Sequence, residues 1–507
     1  MKVLFVAPDV FFSEPLGIMQ LSAIVKKAGH RSRLAVLSKH NLTTILDEFQ
    51  PDVVAYSTMS PHEAKFEIAD RTVLAWCERR GRRVFRIMGG PHPTYFPAVL
   101  QKMNLDAICI GDGDNAILRV LDRVAAGESV DGIPNIATPT HPTPEKEIVE
   151  DLDDLPWLDR DILYDADPEL QLVGIRSVQT MRGCPHKCTY CFNHAYNRMF
   201  KGGGRKIIRR RSVDSVIAEL KSVVANYPVV RFIRFGDDVF VIRDADEWLE
   251  EFAERFPREI GLPFYCLIRA NALDEKVAQL LAKAGCRSVG MSLESGVPRV
   301  RNEILKRNMP DEVMENAFRL CRKYKLNAFA NTILAVPGTT LEEDFQSWRF
   351  AKRMDPAAPT FGIFSPYPGT ELTDYAIELG VLDKDYDFNI VSVSTESMLN
   401  NYTPAEKRQQ LHLAYLGGIF CHLPASFEPI LRAAVKLPLT RFYNFIGYVF
   451  VTWMLSTKVF PGAHPRSAKA ILKSVLRSVS FFQNADSRRE VADRVNIASQ
   501  DAKEIAP

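Results

Sequence analysis

The chain of 507 residues carries 64 Lys and Arg against 62 Asp and Glu, with 46% hydrophobic and 25% charged residues. That mix builds a folded protein of about three domains and excludes disordered, collagen-like and disulfide-scaffold classes. A net charge of +2 supplies no global field for nucleic acid, so no nucleic-acid partner is expected.

Residues 1–140 alternate between two periods. Val3 to Ala7 is a short apolar run stopped by Pro8, and Leu16 to Ala28 has helical spacing up to Gly29. Strands follow at Arg33 to Leu37, Val53 to Ser57, Val84 to Met88 and Ala107 to Ile110, with a helix from Glu63 to Arg80. Short apolar strands alternating with helices predict an α/β fold, a doubly wound, Rossmann-like parallel sheet covered on both faces. Ligands in such sheets sit at the carboxyl ends of the strands. Here those ends are Pro8, Ser57-Thr58, Gly89-Gly90 and Gly111. The glycines allow close ligand approach, or simply make tight turns. The N-terminus, MKVLFVAPDV, is too short an apolar run for a secretion signal. No stretch reaches about 18 uninterrupted apolar residues. A cytoplasmic location is therefore expected, with any membrane contact peripheral.

Residues 141–170 read as a linker, in a stretch holding Pro134, Pro139, Pro142, Pro144 and Pro156 and a run of acids. A second strand–helix series fills 171–375. Strands are predicted at Ser177 to Met181, Val230 to Phe235, Phe264 to Ile268, Ser288 to Leu293, Asn327 to Leu334 and Thr360 to Phe364. Six strands with intervening helices predict a partial (β/α)6 barrel. In 376–507 the alternation stops, which predicts a mainly helical extension. Between Pro429 and Ala485 stand eight Lys or Arg and no Asp or Glu, around an apolar core from Phe445 to Leu455. That stretch suits an anionic membrane surface with Trp453 and Tyr448 at the interface, or a helical lid over the barrel mouth. On the first alternative the substrate is lipid-like or membrane-delivered.

Nine Cys form no disulfide framework, yet Cys184, Cys188 and Cys191 fall within eight residues. This suits a metal site in a reducing compartment. A structural zinc site normally closes with four ligands, and Cys266, Cys286 and Cys321 are isolated. Three thiolates on one loop fit a [4Fe-4S] cube with one iron open. His186 could add a fourth ligand, though loop packing or hydrogen bonding fits it better. The loop follows the first strand of the second series, at the end where barrel chemistry sits.

The spacing C-x3-C-x2-C after that strand, with Tyr190 before the last Cys, resembles the radical S-adenosylmethionine (SAM) superfamily. The resemblance implies that the open iron chelates SAM and that electron transfer, from a donor such as flavodoxin or ferredoxin, cleaves it to a 5′-deoxyadenosyl radical. It continues at Gly236-Asp237-Asp238, where relatives bind the SAM amino end, at Arg269, and at Ser292-Leu293-Glu294-Ser295-Gly296. The resemblance thus makes Tyr190, Asp237, Asp238, Arg269 and Glu294 candidate SAM contacts. The plainer readings are a helix N-cap for Asp237 or Asp238 and a surface salt bridge for Glu294.

The N-terminal series resembles cobalamin-binding domains fused to such barrels. Pro15-Leu16-Gly17, the run ending Ser57-Thr58, Gly89-Gly90-Pro91-His92 and Gly111-Asp112-Gly113-Asp114 recur there in this order, although relatives read Gly-Glu-Gly-Glu at the last. The resemblance implies cobalamin near Leu16, Gly17, Ser57, Thr58, Gly89, Gly90, His92 and Gly111. The segment Asp9 to Pro15 lacks the Asp-x-His-x-x-Gly of domains that give cobalt a lower ligand, so no imidazole ligand is expected. A cobalamin-dependent radical SAM enzyme follows, with methyl transfer to an unactivated carbon of a small molecule as the expected outcome. Ring closure or oxidation on the same architecture, as in tetrapyrrole cyclases, is the alternative. A non-catalytic cluster and corrin sensor is a third reading.

Overall fold

The computed structural model describes residues 1–10, 14–202, 205–243, 245–386 and 395–461. Three residues of the segment inspected for a cobalt-binding His, 11–13, and the basic residues beyond 461 lie outside the described residues.

Strands β1 (Lys2–Ala7), β2 (Arg31–Val36), β3 (Val53–Ser57), β4 (Phe85–Gly89), β5 (Ala107–Cys109) and β6 (Ile136–Ala137) form one sheet in the order β2-β1-β3-β4-β5-β6. The first five are parallel, and β6 joins β5 antiparallel. Val3 to Ala7 are all buried, as a strand covered on both faces requires. Helices Leu16–Lys27 and Ala116–Ala126 share the core on one face. Leu42–Phe49 and Glu63–Arg80 cover the other, with Trp76 and Phe66 at its centre. Strand order reverses between β1 and β3, which opens the ligand crevice at their carboxyl ends.

The proline-rich stretch is less free than its composition suggests. It contributes β6, and the helix Asp161–Ala166 drives Ile162, Leu163 and Tyr164 into the N-terminal core. Prolines set its turns, but its scattered apolar residues bind it to the domain.

The second sheet runs β14-β13-β12-β11-β10-β7, all parallel, from β7 (Ile175–Val178), β10 (Phe232–Phe235), β11 (Phe264–Leu267), β12 (Cys286–Gly290), β13 (Asn327–Leu334) and β14 (Ala358–Ile363). Among the described residues β7 and β14 do not pair, so the barrel is open along one side. Four of its helices begin where a side chain caps them: Ser212, Asp246, Asp274 and Thr340 each accept a backbone N–H. Between β7 and β10 a short antiparallel hairpin, β8 (Met181–Arg182) with β9 (Arg209–Arg210), was not predicted; two-residue strands leave no periodicity to read.

The described part of the extension is helical: Pro404–Cys421, Glu428–Ala434 and Thr440–Met454, then a turn Leu455–Val459. The first helix lies on β14 through Gly417 and Gly418, where a Cβ would meet the Phe361 ring at 2.9 Å and the Pro359 carbonyl at 2.8 Å. The last turn crosses the starting ends of the strands. Ser288 Oγ donates to the Val459 carbonyl, Asn327 Nδ2 donates to that of Lys458 at 2.8 Å, and the Phe460 ring lies 5.1 Å from Tyr265 and 5.9 Å from Phe232. These residues begin β12, β13, β11 and β10, the end of the barrel opposite the cysteines. The last turn of the described extension is therefore a plug at the bottom, while its earlier residues Tyr402 and Gln410 bond the loop and the helix after β13 at the other end. No helix among the described residues is long and apolar enough to cross a membrane.

Candidate active site

The carboxyl ends of the two sheets face one another. Gly183 opens the cysteine loop with φ +92°, and a Cβ there would stand 2.3 Å from the Ile207 carbonyl, so only glycine lets the loop leave the hairpin. Asn197 Nδ2 donates to the Cys184 carbonyl at 2.7 Å, Cys191 N to that of Cys188 at 3.1 Å, and Thr189 is tied to the 304–305 backbone. Burial, reinforced by Cys188 and Cys184 nearby, pushes the Cys191 thiol up to about 12, and burial with Asp238 and Cys188 raises Cys184. The three thiols thus share one electrostatic neighbourhood, and a metal centre bound there has to displace their protons. Arg269 Nη1 stands 3.1 Å from Cys188 Sγ, so a positive group backs the set. Among the described residues no three side chains already stand in metal-ligating geometry, but three thiols in one neighbourhood with a cation behind them are the donor set of an anionic iron–sulfur cube. The His186 ring is kept neutral by burial and by Arg269 and Arg307, and its Nε2 has no hydrogen-bond partner among the described residues.

Beneath the loop lies a buried network. Tyr190 OH donates to Glu294 Oε1 at 2.8 Å, and Arg307 Nη1 reaches Tyr190 OH at 2.8 Å and Glu294 Oε1 at 3.3 Å. Arg269 Nη2 donates to the Arg307 carbonyl at 2.8 Å. Glu294 holds φ 61°, a strained value for a non-glycine residue, and is locked by backbone bonds to Asn331 and Ile333. Instead of a surface salt bridge, Glu294 forms a buried one. Arg307 was absent from the candidates because nothing local marks it. Asp237 is wholly buried: Thr180 N, Thr180 Oγ1 and Met181 N donate to it at 2.7, 2.6 and 2.8 Å. Burial nonetheless raises its pKa to about 6. It staples the end of β7 to that of β10, whereas Asp238 is exposed beside Asn193 and the Gly183 amide. Neither is a helix N-cap; Asp246 caps the following helix.

On the facing sheet, Gly17 has open space around it, and Leu16 approaches Gly236 of the barrel. Gly90 abuts the Thr58 backbone, with the Thr58 carbonyl 2.9 Å from where a Cβ would stand. Gly89 lies beside Cys109, and Ser57 ends β3 half-buried. Thr58 Oγ1 is buried without a partner among the described residues. An open glycine and an orphaned hydroxyl at the crevice fit a cofactor lodged there. His92 points inward, its Nδ1 3.2 Å from Ser60 Oγ and its ring stacked on Phe96. At Gly111 the space is taken: a Cβ would meet Phe200 Cζ at 2.2 Å. Of these glycines Gly17 is the one with nothing within 4 Å of where a Cβ would stand.

The Gly-Asp-Gly-Asp loop does something its sequence did not disclose. Asp114 accepts two bonds from Arg182, at 2.7 and 3.1 Å, and Asp112 accepts from Arg209 at 2.7 Å and from Tyr196 OH at 3.0 Å. Burial alone would raise Asp112, but Arg182 and Arg209 bring it below its ordinary value. Arg182 stands two residues before Cys184, so these pairs clamp the cysteine loop onto the N-terminal domain. Glu14 adds a tie, accepting from Ser177 N at 2.5 Å.

Residues 4–121 match the B12 binding domain family, and residues 178–347 match the radical SAM superfamily. The chain belongs to the cobalamin-dependent radical SAM superfamily. Its two domains are those that hold cobalamin and a [4Fe-4S] cluster with SAM. An uncharacterized methyltransferase of Pyrococcus horikoshii is 26% identical over 79% of this chain and 87% of its own. Cytidylyl-2-hydroxyethylphosphonate methyltransferase of Streptomyces wedmorensis is 25% identical over 73% and 79%. Among solved structures, the radical SAM methyltransferase TsrM of Kitasatospora setae, with cobalamin and [4Fe-4S] cluster bound, superposes with a TM-score of 0.63 at 17% identity, covering 84% of this chain and 90% of that one. At that identity the likeness establishes a shared fold.

Proposed function

We propose that the protein is a cobalamin-dependent radical SAM methyltransferase acting on an unactivated carbon of a small molecule. The carrying observation is the Asp114–Arg182 and Asp112–Arg209 clamp, which fixes the cysteine loop against the corrin-binding crevice. The names of the two curated relatives support methyl transfer as the outcome. When bound, the cluster and cobalamin supply reductive cleavage of SAM and methyl delivery, with electrons from a flavodoxin or ferredoxin. In this reading Cys184, Cys188 and Cys191 ligate the cluster, and Arg269, Tyr190, Glu294 and Arg307 hold the loop rigid beneath it. Asp238, exposed beside the thiols, takes the SAM ammonium group, while Asp237 positions the loop. Gly17, Ser57, Thr58, Gly89 and Gly90 face the corrin, with Leu16 closing the crevice toward the barrel and His92 anchoring the β4 loop. With no Asp-x-His-x-x-Gly between Asp9 and Pro15, the bound cobalamin would have no histidine ligand from that segment.

The test is anaerobic reconstitution with iron, sulfide and hydroxocobalamin, followed by SAM carrying a deuterated methyl group and a cell extract as substrate source. Both 5′-deoxyadenosine and S-adenosylhomocysteine should form, with label entering one product. SAM cleavage without S-adenosylhomocysteine, or a product that has lost hydrogen and gained no label, would replace methyl transfer by cyclisation or oxidation.

A further inference from the structure

The helix Thr440–Met454 buries Tyr443, Gly447 and Met454 against the protein. Gly447 packs on the Tyr415 backbone, where a Cβ would meet the Tyr415 carbonyl at 2.7 Å. Its other face is apolar and uncovered: Phe442 is 58% exposed, Phe445 55%, Val449 42% and Trp453 53%. Steps of three and four residues place these four on one stripe, about 16 Å long at 1.5 Å per residue. Leu437 and Leu439, also exposed, extend it at the helix start. A stripe of large apolar side chains rimmed by polar groups marks an interaction surface rather than ordinary surface scatter.

Charge selects the partner. Arg432 is paired with Glu342 and Glu428. Lys436, Arg441 and Lys458 are exposed and have no carboxylate partner among the described residues. No acidic residue occurs from Pro429 to Ala485, where eight basic ones do. Large aromatics on one face, with basic residues at its edges and no acids, have the chemistry of a helix lying in the interface of an anionic bilayer. An anionic bilayer presents negative charge and apolar depth along one plane, which matches the basic residues and the apolar stripe together. We propose that this face docks the protein on an anionic lipid surface. The stripe is too short to span, so the contact is peripheral. The helix Pro404–Cys421 that carries it lies on β14, the edge strand of the open barrel. This inference stands independently of the methyltransferase reading, since it concerns no cofactor.

The experiment is sedimentation of the full chain with vesicles of phosphatidylcholine alone or mixed with phosphatidylglycerol, while the tryptophan emission that Trp453→Phe removes from the five Trp of the chain is followed as a difference. The protein should pellet with the anionic vesicles, release as salt rises, and shift its emission to the blue. Lys436→Glu with Arg441→Glu should lower the partition coefficient roughly tenfold or more. Phe445→Glu, at an exposed position, should do likewise with an unchanged melting temperature. Equal recovery with both vesicle types, or undiminished binding by these variants, overturns the proposal. So does a dimer in solution that Phe445→Glu dissociates without any vesicle binding, which would make a second copy the occupant. Shielding of Trp453 from a soluble quencher without lipid also overturns it, because the face would then be covered without a bilayer.

Discussion

The two ends of the barrel are finished in opposite ways. At the carboxyl ends of the strands the side chains are polar and charged: three thiols, Arg269, Arg307, Glu294 and the two aspartates of the facing domain. At the starting ends the chain seals itself with Phe460, Val459 and Met454 packed on Phe232 and Tyr265. The same sheet therefore carries a preorganised electrostatic site at one end and a hydrophobic closure at the other. Buried polar networks fix geometry and cost desolvation, while apolar burial supplies net stability. Changes at the top should therefore register in chemistry, and changes at the bottom in melting.

The largest effect belongs to the top. Cys188→Ala should reduce 5′-deoxyadenosine formation to background and prevent the protein from holding its full iron complement. The apo protein should melt within error of the parent, because the loop is held by backbone bonds at Thr189 and Cys191. Full SAM cleavage by this variant would remove the cysteines from the site. A large drop in apo melting temperature would erase the contrast between the two ends.

Much of this was legible in the sequence, and the limits of legibility follow from distance along the chain. The cysteine spacing is local, so three ligands could be named before any fold was known. The strand Asn327 to Leu334 was read with its observed bounds, because alternating burial and flanking polar residues signal it locally. What could not be read was pairing across distance. Arg307 meets Tyr190 over 117 residues, Arg182 meets Asp114 over 68, and Phe200 packs against Gly111. One signal did exist for the clamp: aspartates where relatives carry glutamates, and an Arg just ahead of the cysteine loop. A shorter acid demands closer approach by its partner. The plug was unreadable for the same reason, since an apolar turn after a helix suits a lid as well as a plug.

A smaller effect is expected at the bottom. Phe460→Ala removes a half-buried ring from its packing on Tyr265 and Phe232. The expected loss is about 2 kcal/mol, seen as a lower midpoint in urea unfolding with little change in SAM cleavage per folded molecule. If cleavage fell in proportion while the midpoint stayed fixed, the closure would belong to the site and the comparison would fail.

The smallest effect sits where the extension reaches the upper loops. Asp344 is buried in the helix Leu341–Met354; Ala335 N donates to its Oδ1 at 2.9 Å and Gln410 Nε2 to its Oδ2 at 2.8 Å. Ala335 holds φ 55° at the end of β13, so this carboxyl secures a strained turn and ties it to the extension. Burial pushes its pKa up to about 7 from 3.8, and the two hydrogen bonds offset only part of that rise. Between these values the unfolded chain carries the charge and the folded chain carries the proton. The folded state then binds more protons, so the Asp344 contribution to stability falls as pH rises from about 4 to about 7 and is flat beyond. Asp344→Asn keeps an acceptor for Ala335 N and removes the charge; its amide meets Gln410, whose side chain can turn to accept. The variant should gain on the parent as pH is raised from 5 to 7.5 in thermal melts, by about 1 kcal/mol or more. Other titrating groups, Asp237 among them, are common to both proteins and cancel in the difference. A difference that stays constant across this range would show that Asp344 is ionised in the folded state throughout, held by its two donors against the pull of burial.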